Sequence, residues 1–393
     1  MHTPIAITGM SSLSALEFET QEIWENYSFP STAIRRRDDA YFAAALPEQS
    51  QEQVQSLAQE QKAYQRLDPS VWYAMLVARR ACTQAGWTSG MECGVNFGSS
   101  RGATQLFEHY HQEFLNNGQA ATMTSPTTTL GNISSWVAQD LKLRGPAISH
   151  SVTCSTGLHA VLNGVAWLLS GLSRRFLVGG SEAALTPFTL SQMQVLKITA
   201  VPGADEPEFP CRAGDLSKQS NTMVLGEGAA AFCLELPGTA STKALAYIVG
   251  VGFASDEISH ATAISEEGIG FQQSMRMALG GRSADVVDGI VMHAPGTMKG
   301  DLAEMHAIQA VFGACQHGLP RVTSNKWQLG HTLGAAGVLS LKMAVLMLQH
   351  QTWIPIPFVG ARQQNFKREI NTIMVNAIGF GGNAVSVLVA RHA

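Results

Sequence analysis

Two segments place the strongest limit on what this chain folds into. SVTCSTGLHAVLNGVAWLL (Ser151 to Leu169) and GHTLGAAGVLSLKMAVLML (Gly330 to Leu348) each run from a turn of small residues into a long apolar helix. The segments around them repeat as well. PIAITGM and ALAYIVGVGFAS both read as an apolar strand ending in a glycine turn. CGVNFGSS and VDGIVMHAPGT read as strands running into turns, and RRFLVGGSEAAL reads as a buried strand with a glycine stop. The chain closes with IMVNAIGFGGNAVSVLVA, a strand, a glycine-rich turn and a strand. SVWYAMLVARRACTQAGW spaces Val71, Ala74, Met75, Ala78 and Cys82 as one helix face. The repeat is weak in letters and fair as strand, turn and helix. Two such βα halves packed together bring their strand-end turns to one cleft.

The length of 393 residues suits two domains or one fold of two halves. With 45% hydrophobic and 14% charged residues and 37 glycines, the composition fits a layered α/β interior rather than a disordered or fibrous chain. Pro237-Gly238 and the polar residues after them are the best boundary, separating 1–237 from 238–393. A formal net charge of −4 gives no electrostatic reason to bind nucleic acid. Arg35-Arg36-Arg37 runs straight into Asp38-Asp39 and reads as a solvated loop. Six scattered cysteines form no C-x-x-C pair and no zinc spacing, so no metal is expected. The N-terminus lacks a basic region and is no signal peptide. Gly337 to Gln349 is too short to span a bilayer, which takes ~20 residues. The expectation is a soluble protein of a reducing cytoplasm.

Four turns carry reactive groups: Cys154, His293, His331 and GFGGN from Gly379 to Asn383. A helix N-terminus lowers a thiol's pKa, so Cys154 is expected as a thiolate at neutral pH, with small neighbours leaving room for a substrate. A packed core cysteine is the plainer alternative, and a strand-end histidine is as often a buried, hydrogen-bonded one. Lys326 lies five residues before His331 and Glu304 eleven after His293, so an ion pair between them could hold the two histidine turns in register. His159 reads as a buried helix residue, and His306 and His317 as surface. VGVGFAS is similar to a dinucleotide glycine loop but lacks the third glycine and an acidic ribose partner.

Taken in order along nearly the whole chain, these pieces resemble the elongating β-ketoacyl-acyl-carrier-protein synthases of the thiolase superfamily. The resemblance rests on IAITGM, QRLDPSVWYAMLVARRA, VTCSTGLHAV, LVGGSEAALTPF, VLGEGAAAFCLE, HAPGT with GDLAE, SNKWQLGHTLGAAG and NAIGFGGNAVSVLV. It implies an α/β thiolase-like fold whose two halves stack in five layers, α-β-α-β-α. Residues 1–237 would hold the nucleophile and 238–393 both histidines. It also implies roles. Cys154 would accept the acyl group, and His293 and His331 would stabilise the enolate formed when malonyl-carrier protein loses carbon dioxide. Lys326 and Glu304 would support them. Phe380 would gate the acyl pocket, and its backbone N–H would share an oxyanion hole with that of Cys154. No cofactor is implied. The implied partners are acyl carrier protein, acyl and malonyl thioesters, and a second subunit in a homodimer or a related heterodimer.

The chain also departs from the family pattern. HAPGT stands for His-Gly-Thr-x-Thr: Thr297 remains for the pantetheine arm, while Pro295 replaces a hydroxyl. FPCRAGDLSKQSN replaces the usual Arg-Pro-Phe-Asp stretch, and the loops are short. The reading is a divergent member, serving a secondary lipid or polyene pigment pathway of the aryl-polyene kind. Lys62 and Arg66, ahead of the Asp68 helix, are candidate docking residues for an acidic carrier, or ordinary solvated charges. The alternatives are a non-catalytic chain-length-factor subunit, which usually lacks the cysteine, and a thiolase, which needs a second cysteine in the C-terminal loop. A starter-condensing synthase would carry Cys-His-Asn.

Overall fold

The computed structural model describes residues 3–37, 40–130, 132–203, 207–239, 243–257, 264–360 and 369–393. Asp38 and Asp39 of the charged run, and residues 240–242 after the expected boundary, lie outside the described residues.

The first half supplies β1 (Ile5–Ser14), β2 (Arg35–Arg37), β3 (Tyr41–Ala44), β4 (Gly94–Gly98), β5 (Ala147–Ile148), β6 (Arg175–Glu182), β7 (Leu225–Gly226) and β8 (Gly228–Glu235). The second supplies β9 (Ala246–Ser255), β10 (Gly289–Val291), β11 (Arg321–Thr323), β12 (Thr372–Ile378) and β13 (Asn383–Ala390). One hydrogen-bonded sheet runs β11-β10-β12-β13-β9-β1-β8-β6-β4-β5, and β2-β3-β7 form a small second one. Outward from its centre the sheet repeats itself. β1–β8 and β8–β6 are antiparallel, β6–β4 and β4–β5 parallel. β9–β13 and β13–β12 are antiparallel, β12–β10 and β10–β11 parallel. Within this sheet the halves pair at Ile5↔Ile248, Ala6↔Tyr247 and Ile7↔Ala246.

The helix Ala336–His350 is buried at every position from Ala336 through Leu348. It touches β1, β6 and β8 of one half and β10, β12 and β13 of the other. A helix buried all round has a layer on each side, so this one lies between the two halves of the sheet. The helix Thr156–Leu169 packs beside it, on β6 and β4. Outside, Pro69–Gln84 covers β1, β8 and β6, and Ile269–Leu279 covers β9, β13 and β12. The result is the expected five layers.

Several glycines expected to end strands instead lie inside them. β1 continues through Gly9 and β9 through Gly250. A Cβ on Gly9 would strike the carbonyl oxygen of Ala81, and one on Gly250 that of Ala278, each on the outer helix of its own half. β6 likewise continues through Gly179 and Gly180 to Glu182. Here glycine permits close layer contact instead of a turn.

The central helix is the segment expected to be too short to span a bilayer. With the turn before it, the apolar helical run reaches 18 residues, Leu333–His350, and 89% of it is buried inside the fold. The two sheets supply the apolar surroundings that lipid would otherwise provide. Lys342 is the exception in that run: 1% exposed, with Thr20 Oγ1 at 3.4 Å as its hydrogen-bond partner. Burial lowers its pKa to about 7; Arg80 adds to the shift and Glu19 opposes it. A lysine depressed in the folded state costs stability that returns only as pH rises towards its unfolded value. Lys342→Met is therefore expected to stabilise the fold by roughly 2–4 kcal/mol near pH 6. The gain shrinks towards pH ~10, which denaturant midpoints at the two pH values will show.

Candidate active site

Cys154 stands immediately before the helix Thr156–Leu169 and is 8% exposed. Its turn is tightly held. Thr156 Oγ1 accepts from the Val152 N–H at 2.8 Å and donates to the Thr153 carbonyl. Thr153 has φ +50°, a conformation a β-branched residue keeps only when its surroundings impose it. Its hydroxyl donates to the Phe380 carbonyl at 3.1 Å, tying the GFGG loop to the nucleophile turn. A Cβ on Gly379 would collide with Thr153 Oγ1 and sit 3.1 Å from the Cys154 nitrogen, so the two turns are in contact. Phe380 itself is 38% exposed and lies at the surface of the site instead of in the core.

Both histidines come from the second half: His293 follows β10, and His331 follows the short helix Lys326–Leu329 that comes after β11. The His293 N–H and that of Ala294 donate to the two oxygens of Glu304, each at 2.9 Å. His331 follows Gly330 (φ +69°), whose Cβ would sit about 3.0 Å from the Gly226 nitrogen and the Val224 carbonyl. The His331 N–H donates to Val224 O at 2.6 Å, and its carbonyl accepts from Gly226 N at 3.1 Å. The second histidine is thus pinned to the first half. The rings meet edge to face with centroids 5.3 Å apart. Nδ1 of each is buried without a hydrogen-bond partner among the described residues. Ala294 (φ +23°) and Leu333 (φ +44°) repeat beside the histidines the strain seen at Thr153.

Electrostatics revise two expectations. Burial pushes the Cys154 thiol up to about 12; Glu182 adds to this, while Lys326 and Arg101 oppose it. The resting group is a thiol, because desolvation inside the fold outweighs the helix end. Burial and the Lys326 charge hold both histidines well below their ordinary value, so they are neutral N–H donors at pH 7. The expected contact ion pair is also absent from the described residues. Glu304 spends its oxygens on the His293 turn and on Asn376 Nδ2 at 3.1 Å, and it reaches Lys326 only through space. Burial raises the Glu304 pKa and lowers that of Lys326.

Three further residues carry the geometry. Glu182, at the end of β6, accepts from Ser99 Oγ, Ser100 N, Arg101 N and Gly334 N. Asp301 forms a buried ion pair with Lys218 Nζ at 2.7 Å and also accepts from Gly296 N and Gly214 N. The signals were an acid closing an apolar strand in VGGSE and a second acid in the first turn of GDLAE. Thr297 caps the helix Met298–Phe312, its hydroxyl accepting from Gly300 N. Lys62 and Arg66 are exposed. A separate apolar cluster of Ala184, Leu190, Met193, Met223, Leu225 and Leu333 packs with Cys154.

A duplicated five-layer α/β fold with one cysteine and two neutral histidines at its seam defines a thiolase-like condensing enzyme. The family described as "Beta-ketoacyl synthase, N-terminal domain" matches residues 2–240, and "Beta-ketoacyl synthase, C-terminal domain" matches 245–358. The chain belongs to the β-ketoacyl synthase family. It is 28% identical to a 3-oxoacyl-acyl-carrier-protein synthase 2 of Coxiella burnetii, over 98% of each chain. It is 26% identical to the protein of that name from Vibrio cholerae, over 98% of this chain and 99% of the relative. Among solved structures, "The ishigamide ketosynthase/chain length factor" shares the fold with a TM-score of 0.85 and 20% identity over 99% of both chains.

Two outcomes follow from this geometry. Lys218→Met leaves Asp301 buried without its cation and is expected to cost about 3–5 kcal/mol in chemical denaturation, with a parallel loss of activity as the His293 turn shifts. The neutral histidines contribute stability that is present above their ordinary value of about 6.5 and is lost as pH falls below it. A His293→Asn/His331→Asn protein is expected to lose less stability than the parent between pH ~7 and ~5, as thermal melts at those values will show.

Proposed function

We propose that the chain catalyses decarboxylative Claisen condensation of an acyl group carried on Cys154 with malonyl-acyl carrier protein. The observation that carries this reading is a pair of neutral histidine rings, edge to face, sharing the field of Lys326 with a cysteine packed against Leu225, which pairs with His331, and Leu333. In the first step the Cys154 sulfur bonds the acyl carbon, the carrier's thioester bond breaks, and the thiol proton leaves with the carrier thiol. The backbone N–H groups of Cys154 and Phe380 hold the oxyanion. In the second, neutral His293 and His331 donate to the malonyl thioester carbonyl as carbon dioxide departs. The enolate carbon bonds the acyl carbon, the Cys154–acyl bond breaks, and the sulfur recovers a proton from solvent. Burial, with Lys326 adding to it, keeps the histidines neutral, and Glu304 holds the His293 turn. Thr297 receives the pantetheine arm, and Lys62 and Arg66 meet the acidic carrier. The protein acts in the cytoplasm without a cofactor, its halves meeting at Pro237-Gly238.

A dimer, with itself or a related subunit, accounts for two unpaired features. β5 ends the sheet. The helix Thr104–Asn117 has no buried residue and exposes Phe107, Phe114 and Leu115. The altered Ala213-Gly214 and Pro295 support a divergent lipid or polyene pathway. A non-catalytic chain-length-factor role is the second reading, favoured by the fold neighbour whose name includes such a factor.

Intact-mass spectrometry with a panel of acyl-carrier thioesters separates the two. An acyl adduct is expected on the protein and absent from Cys154→Ala. His293→Ala and His331→Ala are expected to acylate yet lose condensation by about a thousandfold or more. No adduct from any donor would sink the catalytic reading.

A further inference from the structure

Glu182 is 0% exposed, and each of its neighbours is a donor. Oε1 accepts from Ser99 Oγ at 2.8 Å and from the Arg101 N–H at 3.0 Å. Oε2 accepts from the Ser100 N–H at 2.8 Å and from the Gly334 N–H at 2.9 Å. Three of these groups belong to the turn after β4, in the nucleophile half. The fourth belongs to the loop three residues beyond His331. Among the described residues no cationic side-chain atom touches the carboxylate. The Arg101 guanidinium turns away, to Thr189 Oγ1 at 3.3 Å and to Gln192. Those two residues lie on the helix Pro187–Val195, whose Leu190 and Met193 pack with Cys154. Glu182 thus holds an uncompensated charge at the point where the nucleophile turn, the His331 loop and the apolar wall of the site converge.

Four donors leave no room for an amide. Glutamine offers one acceptor oxygen and turns an NH2 group towards two N–H donors, so only a carboxylate satisfies the cage. The charge has a second effect, on the nucleophile. The charged groups facing Cys154 are Glu182, which opposes thiolate formation, and Lys326 and Arg101, which favour it. The four hydrogen bonds oppose the effect of burial on Glu182 itself, whose pKa rises only to about 6, so it is an anion at neutral pH.

We propose that Glu182 is a positioning residue for both steps of the reaction: one buried carboxylate that locks the His331 loop onto the nucleophile half through Gly334, and whose negative charge, added to burial, disfavours ionisation of Cys154. The proposal rests on the reading of Cys154 as nucleophile and adds a group outside the Cys-His-His set. It predicts effects of opposite sign from one substitution. Removing the charge makes the thiol easier to ionise, while removing the cage displaces the histidine loop.

The test compares Glu182→Gln and Glu182→Asp with the parent protein. One measurement is the pH profile of Cys154 alkylation by iodoacetamide, followed by intact mass. The other is condensation of a pre-acylated protein with malonyl-carrier thioester. For Glu182→Gln, the alkylation midpoint is expected to move to lower pH while condensation falls by about tenfold or more. Glu182→Asp keeps the charge but shortens the reach to Gly334. It is expected to leave the alkylation midpoint near that of the parent and still slow condensation. A residue that merely supports the fold would slow condensation without moving the alkylation midpoint to lower pH. An unmoved midpoint in Glu182→Gln, the same shift in both variants, or undiminished condensation overturns the proposal. Should Glu182→Gln not fold, a Glu182→Asp midpoint displaced to lower pH, or undiminished condensation in that variant, overturns it instead. Alkylation needs no acyl substrate. A parent protein that alkylates at Cys154 but never condenses defeats the catalytic reading and leaves the electrostatic half of this proposal testable.

Discussion

The site depends on a contact in which three glycines leave no room for a methyl group. A Cβ on Gly157, in the first turn of the nucleophile helix, would lie 2.9 Å from the Gly334 carbonyl oxygen. A Cβ on Gly180, in β6, would lie at the same distance from that oxygen, and one on Gly334 would press into Ser100 N and Glu182. Backbone therefore meets backbone where the halves join. That closeness lets a cysteine at the start of one helix and a histidine ahead of another share a site. The buried helix Ala336–His350 extends the contact into the core between the two halves of the large sheet.

Burial does most of the electrostatic work at that contact. It pushes the thiol of Cys154 up and holds both imidazoles down, so the resting site contains neutral groups suited to donating hydrogen bonds. Charge is kept just behind them. Lys326 biases the histidines, Glu304 caps the His293 turn, and the Lys218–Asp301 pair fastens that turn to the segment before β7. Leu190, Met193 and Leu333 pack beside Cys154, so the surroundings of the thiol are apolar.

Much of this was legible in the letters. The apolar runs and the repeated passage from turn to helix depend on local pattern and appear where the pattern placed them, as does His293 just beyond β10. The errors share one cause. Gly9, Gly179 and Gly250 read locally as turn formers, but they serve contacts between layers that are distant in sequence. Cys154 read locally as a helix-end thiolate, but desolvation comes from side chains gathered by the whole fold. Lys326 and Glu304 looked like partners by spacing, yet the Glu304 oxygens are taken by backbone N–H groups closer to hand.

The sequence by itself determined the duplicated α/β plan and the family to which the chain belongs, and it singled out Cys154, His293 and His331 as candidates. These follow from periodicity, small-residue turns and motif order, which are written along the chain. Only the tertiary structure decided how the halves meet, which protonation states the site holds, and that Glu182, Lys218 and Asp301 belong to it. Those properties arise from burial and from contacts across the chain, such as the 152 residues separating Glu182 from Gly334. No local pattern encodes them, because each depends on what two remote segments exclude from water when they close on one another.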